Sequence, residues 1–224
     1  MGILYIIATP IGNREDITLR ALRILKEADV VFAEDTRVTK KLFSLYGIAT
    51  LLRSYHQRSG KAAGDAVIRA LSEGKKIALV TDAGTPGISD PGNELVARVR
   101  AELPETKIEP VPGPSALTAA LSVAGVPTNS FLFLGFLPHK KGRKTALDAL
   151  ALSERMIVLF ESPHRIQKLF LELNARVPER RAVIFRELTK MFESAISGTV
   201  AELKQKLIEG DIPSRGEFVV VLTP

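Results

Sequence analysis

The stretch KIALVTDAGTPGISDPGNELVARVR, residues 76–100, decides how this sequence folds. Ile77 to Thr81 is a short apolar run, the pattern of a strand buried on both faces. Between Thr81 and Gly92 stand three Gly, two Pro and two Asp. That is more turn chemistry than a connection of about 2 to 6 residues needs. Asp90 followed by Pro91 reads as a helix cap with proline at the first helical position, opening a helix through Arg100. Strand, long glycine loop and helix together make one unit of an α/β fold with a largely parallel sheet.

The same alternation extends on both sides. Ile3 to Ala8 reads as a first strand. Asp16 is placed to cap a helix in which Ile17, Leu19, Leu22, Ile24 and Leu25 supply an apolar stripe, and Val30 to Ala33 follows as a second strand. A third β segment is expected around Thr50 to Leu52. The helix from about Lys61 to Glu73 stops at Gly74, a residue suited to a left-handed C-terminal cap. Beyond Arg100, Pro110-Val111-Pro112-Gly113-Pro114 continues neither a helix nor a central strand and reads as a rigid connector. It divides the chain into domains 1–114 and 115–224. In the second domain Ser115 to Ala124 reads as a helix ended by Gly125, and Phe131 to Leu134, Met156 to Phe160 and Val183 to Phe185 read as strands. Ser162-Pro163 opens a helix, Thr199-Val200-Ala201-Glu202 is a capping box that opens the last one, and Phe218 to Leu222 closes the fold as a strand.

Composition narrows the function. The 224 residues carry 31 Lys and Arg against 25 Asp and Glu, a net charge of +6, with a pI near 9.6. This moderate excess permits a polyanionic partner. The chain has no cysteine, and its three His are His56, His139 and His164, far apart in sequence. Disulfides, thiol catalysis, thiolate zinc sites and iron–sulfur clusters are excluded, and no metal site is expected. No apolar run reaches the roughly 18 residues that cross a bilayer, and Ile3 to Ala8 lacks a preceding basic segment, so the expected location is the cytoplasm, away from membranes. GxGxxG, Walker A and GxSxG patterns are absent.

Three turn-rich segments follow strands, where ligands sit in open α/β sheets. They are Thr9-Pro10-Ile11-Gly12-Asn13, the Thr81–Gly92 loop, and the Pro-Gly-Pro connector leading to Ser115 and Ala116 at a helix start. Glycines let backbone amides approach a ligand, Asp82 offers acceptors to an amine or ribose, and a helix start offers free N–H groups. Together they describe a small-molecule cradle built mostly of backbone.

Five strings, Ala8-Thr9-Pro10-Ile11-Gly12-Asn13, Ala33-Glu34-Asp35-Thr36-Arg37, Thr81-Asp82-Ala83-Gly84-Thr85-Pro86, Val111-Pro112-Gly113-Pro114-Ser115-Ala116 and Phe160-Glu161-Ser162-Pro163-His164-Arg165, closely resemble the ribosomal RNA small subunit methyltransferase I family. That family is the RNA-modifying branch of the tetrapyrrole methylase superfamily. The resemblance runs along essentially the whole chain. It implies two α/β domains with S-adenosyl-L-methionine in the cleft between them, a homodimer, and 2′-O-methylation of a cytidine ribose in small-subunit ribosomal RNA, free or in the assembled small subunit. Here Thr9 to Asn13 and Asp82-Ala83-Gly84 replace the Gly-x-Gly-x-Gly-Asp and Gly-Asp-Pro patterns of the tetrapyrrole branch, which favours the RNA branch.

On this basis Pro10, Gly12, Asp82, Ala83, Gly84, Pro86, Ile88, Ser115, Ala116, Phe160 and Ser162 are assigned to the cofactor. Glu34, Asp35, Glu161 and Glu187 lie at or just past strand ends and are the candidates for a general base. Arg37, His164 and Arg165 are assigned to RNA, with Lys140, Lys141, Arg143 and Lys144, which put four positive charges into five positions. The basic and aromatic run Arg53-Ser54-Tyr55-His56-Gln57-Arg58 suits splayed RNA or a polar surface loop equally. Two rival readings stay open: a methylase of a tetrapyrrole or other non-RNA substrate, and a non-catalytic RNA-binding protein.

Overall fold

The computed structural model describes residues 2–56 and 60–224, Gly60 and Lys61 by their backbone. Gln57 and Arg58 of the basic and aromatic run lie outside the described residues. The chain divides into two compact units, Met1–Ser115 and Ala116–Pro224.

In the first unit, strands β1 (Ile3–Ile7), β2 (Val30–Ala33), β3 (Leu51–Ser54), β4 (Lys76–Val80) and β5 (Lys107–Val111) form one sheet in the order β3-β2-β4-β1-β5. Every neighbouring pair is parallel. Helices α1 (Leu19–Glu27) and α2 (Thr36–Tyr46) cover one face, where Ala21, Ile24, Leu25 and Phe43 meet Ile7, Val31, Ala78 and Val80. Helices α3 (Gly60–Ser72) and α4 (Gly92–Glu102) cover the other, where Val67, Leu71, Leu95 and Val99 meet Leu4, Phe32, Ile77 and Leu79. The unbroken apolar runs follow from this sandwich, because alternate strand residues are buried on opposite faces.

In the second unit, β6 (Phe131–Phe136), β7 (Met156–Glu161), β8 (Arg181–Arg186), β9 (Ser194–Thr199) and β10 (Phe218–Leu222) form a sheet in the order β6-β7-β10-β8-β9. β6 and β7 are parallel, and the remaining pairs are antiparallel. Helices α6 (Arg143–Ala151), α7 (Ile166–Asn174) and α8 (Val200–Glu209) pack on one face through Leu147, Phe170, Leu203 and Leu207. α5 (Ala116–Val123) lies against β10. The capping box at α8 is present in full, with Thr199 Oγ1 accepting from Glu202 N–H and Glu202 accepting from Thr199 N–H.

Several local expectations are corrected. Asp16 ends a single 3₁₀ turn, and α1 is capped by Thr18, whose Oγ1 accepts from Ala21 N–H at 3.1 Å. Pro91 adopts the cap position of α4. Asp90 instead closes the preceding loop, accepting from Gly87 N–H at 2.7 Å and Gly92 N–H at 2.8 Å. Pro110 and Val111 belong to β5, tolerated because β5 is an edge strand and the missing N–H breaks no ladder on its outer side. α7 begins at Ile166, since Ser162 and Pro163 form a turn in which Ser162 O accepts from Arg165 N–H and Ile166 N–H. α2, α6, β5 and β9 add to the elements expected from the sequence.

Candidate active site

Because the strands of the first sheet are all parallel, their carboxyl ends lie along one edge. β1 leads to α1 on one face and β4 leads to α4 on the other. Neighbouring strands whose connections part to opposite faces leave a crevice outside their carboxyl ends, the customary ligand position in such sheets. β4 and β1 are adjacent and form that pair.

Hydrogen bonds fasten the loops across this point. Thr9 N–H donates to Gly84 O at 2.9 Å and Gly84 N–H donates to Thr9 O at 3.0 Å, an isolated antiparallel bridge between the loops after β1 and β4. Thr9 Oγ1 donates to Thr81 O at 3.1 Å, and Thr81 Oγ1 donates to Glu34 Oε2 at 2.7 Å. Asp35 N–H donates to Asp82 Oδ1 at 2.9 Å, and Thr85 Oγ1 donates to Pro114 O at 3.1 Å. The structure thus brings together Pro10, Gly12, Glu34, Asp35, Asp82, Gly84 and the connector at the ends of four strands. The bonding hydroxyls of Thr9, Thr81 and Thr85 escaped the sequence reading. Thr9 and Thr81 carry the signal of threonine just after a strand end, whereas Thr85 lies inside the loop.

Gly84 holds the centre of the bridge at φ +82°, a left-handed conformation in which a side chain is strained. A Cβ there would stand 3.4 Å from Ile11 Cγ2 and 3.8 Å from Pro114 O. Ala83 and Ile88 are exposed, and Pro86 is buried.

The carboxylates differ in charge environment. A side-chain hydrogen bond from Arg37, with the Arg37 and Val38 backbone amides and the Arg37 charge, holds the Asp35 carboxyl down to about 2. Asp82 moves the other way: loss of surrounding water raises its pKa, and the neighbouring negative charges of Glu34 and Asp35 add to this against the Asp35 amide. A cation arriving beside Asp82 relieves both effects.

In the second unit β6, β7 and β8 point the same way, with β10 running antiparallel between β7 and β8. Their carboxyl ends carry the Pro138–Gly142 loop, Phe160 to Arg165, and Glu187. Phe160 meets Phe133 and Phe136 edge-on, at ring separations of 4.9 and 5.7 Å. Glu161 is 2% exposed. Its Oε1 accepts from Ser162 N–H at 2.8 Å and lies 3.0 Å from Arg165 Nε. Arg165 also bonds Leu137 O and lies 3.0 Å from His139 Nε2. Glu161 and Arg165 therefore brace strand ends against each other.

Arg143 is engaged in the same way. It is 4% exposed, with Nε and Nη2 donating to Glu172 Oε2 at 2.9 and 2.6 Å and Nη1 donating to Pro138 O at 3.2 Å. The other cations of its run, Lys140, Lys141 and Lys144, are exposed, as is His164. Glu187 occupies φ +54°. Burial pushes its carboxyl up, but the Glu217 N–H and the Lys190 ammonium outweigh this and hold it below the ordinary value. Among the described residues no cluster of His, Asp and Glu is arranged to hold a metal ion, and no helix is long and apolar enough to cross a membrane.

The sequence model described as Tetrapyrrole (Corrin/Porphyrin) Methylases matches residues 3–204. Over 224 residues the chain is 47% identical to the Ribosomal RNA small subunit methyltransferase I of Neisseria meningitidis serogroup B, covering 100% of this chain and 76% of that protein. The chain belongs to this methyltransferase family. The protein of the same name from Halalkalibacterium halodurans is 46% identical over 222 residues, 99% of this chain and 75% of the relative. The Thermus thermophilus uroporphyrin-III C-methyl transferase complexed with S-adenyl homocysteine superposes with a TM-score of 0.67 at 19% identity, covering 99% of this chain and 97% of that one. It shows the tetrapyrrole methylase fold in both units' α/β architecture. The family membership turns the backbone crevice between the β1 and β4 loops into the candidate methyl-donor site.

Proposed function

We infer that this methyltransferase uses S-adenosyl-L-methionine to methylate a cytidine ribose 2′-hydroxyl in small-subunit ribosomal RNA. The observation that carries the reading is the 47% identity, across the whole chain, to a protein named Ribosomal RNA small subunit methyltransferase I. Similarity to a uroporphyrin methylase stands at 19%, which favours RNA over a tetrapyrrole as the acceptor. The reading includes a homodimer working in the cytoplasm, where ribosomal subunits are made.

The crevice fits the donor by its chemistry. S-adenosyl-L-methionine supplies a methyl group on a positively charged sulfur, along with a ribose and an ammonium group. Asp82, with its raised pKa and negative neighbours, gains from a nearby cation or a ribose hydroxyl. Gly84 and the bridged loops offer backbone without side chains in the way. As the ribose oxygen bonds the methyl carbon, the carbon–sulfur bond breaks with its electron pair going to sulfur, and the hydroxyl proton leaves. Alignment of oxygen, carbon and sulfur accounts for much of the acceleration. A positioned base adds roughly 10²- to 10⁴-fold. Of the four carboxylates, Asp35 is too weak a base, Glu161 is occupied by Arg165, and Glu187 is engaged by Lys190 and Glu217 N–H. Glu34, half-buried beside Asp82 with one oxygen on Thr81, is the best placed.

The test is incubation with labelled S-adenosyl-L-methionine and small subunits or naked RNA from cells lacking the enzyme, then mapping of the methylated position. Label on a cytidine 2′-oxygen is expected. Label on a base, or none on RNA under conditions where a tetrapyrrole is methylated, overturns the reading.

A further inference from the structure

The edge strand β6 carries an irregularity that decides where one aromatic ring points. Side chains of a regular strand alternate between the two faces of its sheet. Leu132 pairs with Ile157 and packs against the core beneath α6, α7 and α8, so Leu134 and Phe136, at steps of two, would follow it onto that face. The register slips instead. A bulge between Phe133 and Gly135 places Gly135, at φ +57°, opposite Leu159 of the helix-side core, and Phe136 opposite Phe160. Leu134 is the extra residue.

The slip turns Phe136 away from the helices and onto the other face of the sheet. There it meets the Phe160 ring edge-on at 5.7 Å, yet it remains 52% exposed. Leu137, the next residue, returns to the helix side and is buried. A single exposed apolar residue is ordinary in itself. Phe136 differs because a bulge aims it outward and a second ring braces it. Bulges that re-aim a side chain occur preferentially next to active sites.

The surroundings select the ligand. Between Glu109 and Asp148 the sequence holds Lys140, Lys141, Arg143 and Lys144, and neither Asp nor Glu. His139, Lys140 and Lys141 follow Phe136 within five positions and are exposed, and the two lysines form no ion pair with any described residue. In the loop after the neighbouring strand β7, His164 is exposed, whereas the acidic Glu161 is buried against Arg165. A flat apolar ring beside uncompensated cations matches a nucleotide, whose base has a stacking face and whose phosphate has the opposite charge. An apolar protein surface would meet only the ring.

We propose that Phe136 is the stacking platform for an unstacked base of the RNA substrate, the phosphates of that stretch falling to Lys140 and Lys141. The proposal rests on the ribosomal RNA reading above. Recognition of single-stranded RNA commonly splays bases onto aromatic side chains. Phe160 holds the ring in place before RNA arrives, which lowers the ordering cost of the stack.

The test compares wild type with F136L, which keeps apolar bulk without a ring, and F136Y, which keeps the ring. Phe136 is exposed, so the fold is expected to persist, and circular dichroism verifies this. With a fragment of small-subunit ribosomal RNA, F136L is expected to lose about 5- to 150-fold in kcat/KM, the factor that removal of one base–aromatic stack brings, and F136Y to stay near wild type. The slope of log affinity against log salt should not change, since no phosphate contact is lost. Fragments carrying one abasic nucleotide at successive positions identify the partner: at one position the missing base costs wild type a similar factor and costs F136L nothing more. Equal abasic penalties in wild type and F136L at every position overturn the platform alone. So does weaker cofactor binding by calorimetry with KM for RNA unchanged, which assigns the ring to the cofactor, or a change of oligomeric state in sedimentation, which assigns it to a second copy of the chain. Failure of the wild type to methylate RNA overturns the function reading and the platform with it.

Discussion

Replacing Arg143 by Ala separates a structural cation from an RNA-binding one. The guanidinium is 4% exposed, bonded twice to Glu172 and once to Pro138 O, and lies 4.0 Å from Glu161. Removing one partner of a buried pair costs about 3 to 5 kcal/mol, because the other charge is left without compensation. The lower figure applies here, since Glu161 keeps Arg165 at 3.0 Å and the Glu172 side chain remains 25% exposed to water. In a chain of this size about 3 kcal/mol corresponds to a fall in Tm of roughly 6 to 12 °C. Arg143→Met retains the aliphatic volume and should lose nearly as much, showing that charge and not packing is at stake. Thermal melts followed by circular dichroism give the stability. RNA affinity against salt, measured at a temperature where both proteins are folded, gives the binding. A melt within 2 °C of wild type together with a flatter salt slope refutes the argument and returns Arg143 to the RNA surface.

Gly84→Val forces a β-branched residue into φ +82° and sets its side chain against Ile11, so calorimetry should show loss of cofactor binding while circular dichroism stays native. Asp82→Asn should melt higher than wild type at pH 7 without ligand. The Asp82 pKa is raised in the folded state, so the protonated form is favoured and stability is lost as pH rises through that raised value. The advantage of the variant should therefore vanish as pH falls below the unfolded value of about 3.9, and melts across about pH 3 to 8 test this. Glu34→Gln should cut turnover by roughly 10²- to 10⁴-fold with both affinities kept, whereas a change within a few-fold points to catalysis by alignment alone. A substrate with 2′-deoxyribose at the target should bind nearly as well and accept no methyl, and methylation of it moves the acceptor to the base.

Local pattern sufficed for β1, β2, β4 and β10, whose apolar runs lie within a residue of their observed limits, and for the capping box at Thr199. It also sufficed to mark the Thr81–Gly92 loop as more than a connection, because glycine at positive φ and proline leave their signature in the residues themselves. These features depend on neighbours within about four positions along the chain. The order β3-β2-β4-β1-β5 is different in kind, since it alone makes the β1 and β4 loops diverge at adjacent strands. So is the fate of the charges. Arg143 stands in a run of Lys that looks uniformly solvated, yet its partner Glu172 is 29 positions away and draws it inside. Thr9 and Thr81 are 72 positions apart, and their hydrogen bond exists only because parallel strands bring both carboxyl ends to one edge. Burial and partnership are set by which segments meet across the sheet, and a charge or hydroxyl carries no local mark of the residue it will meet there.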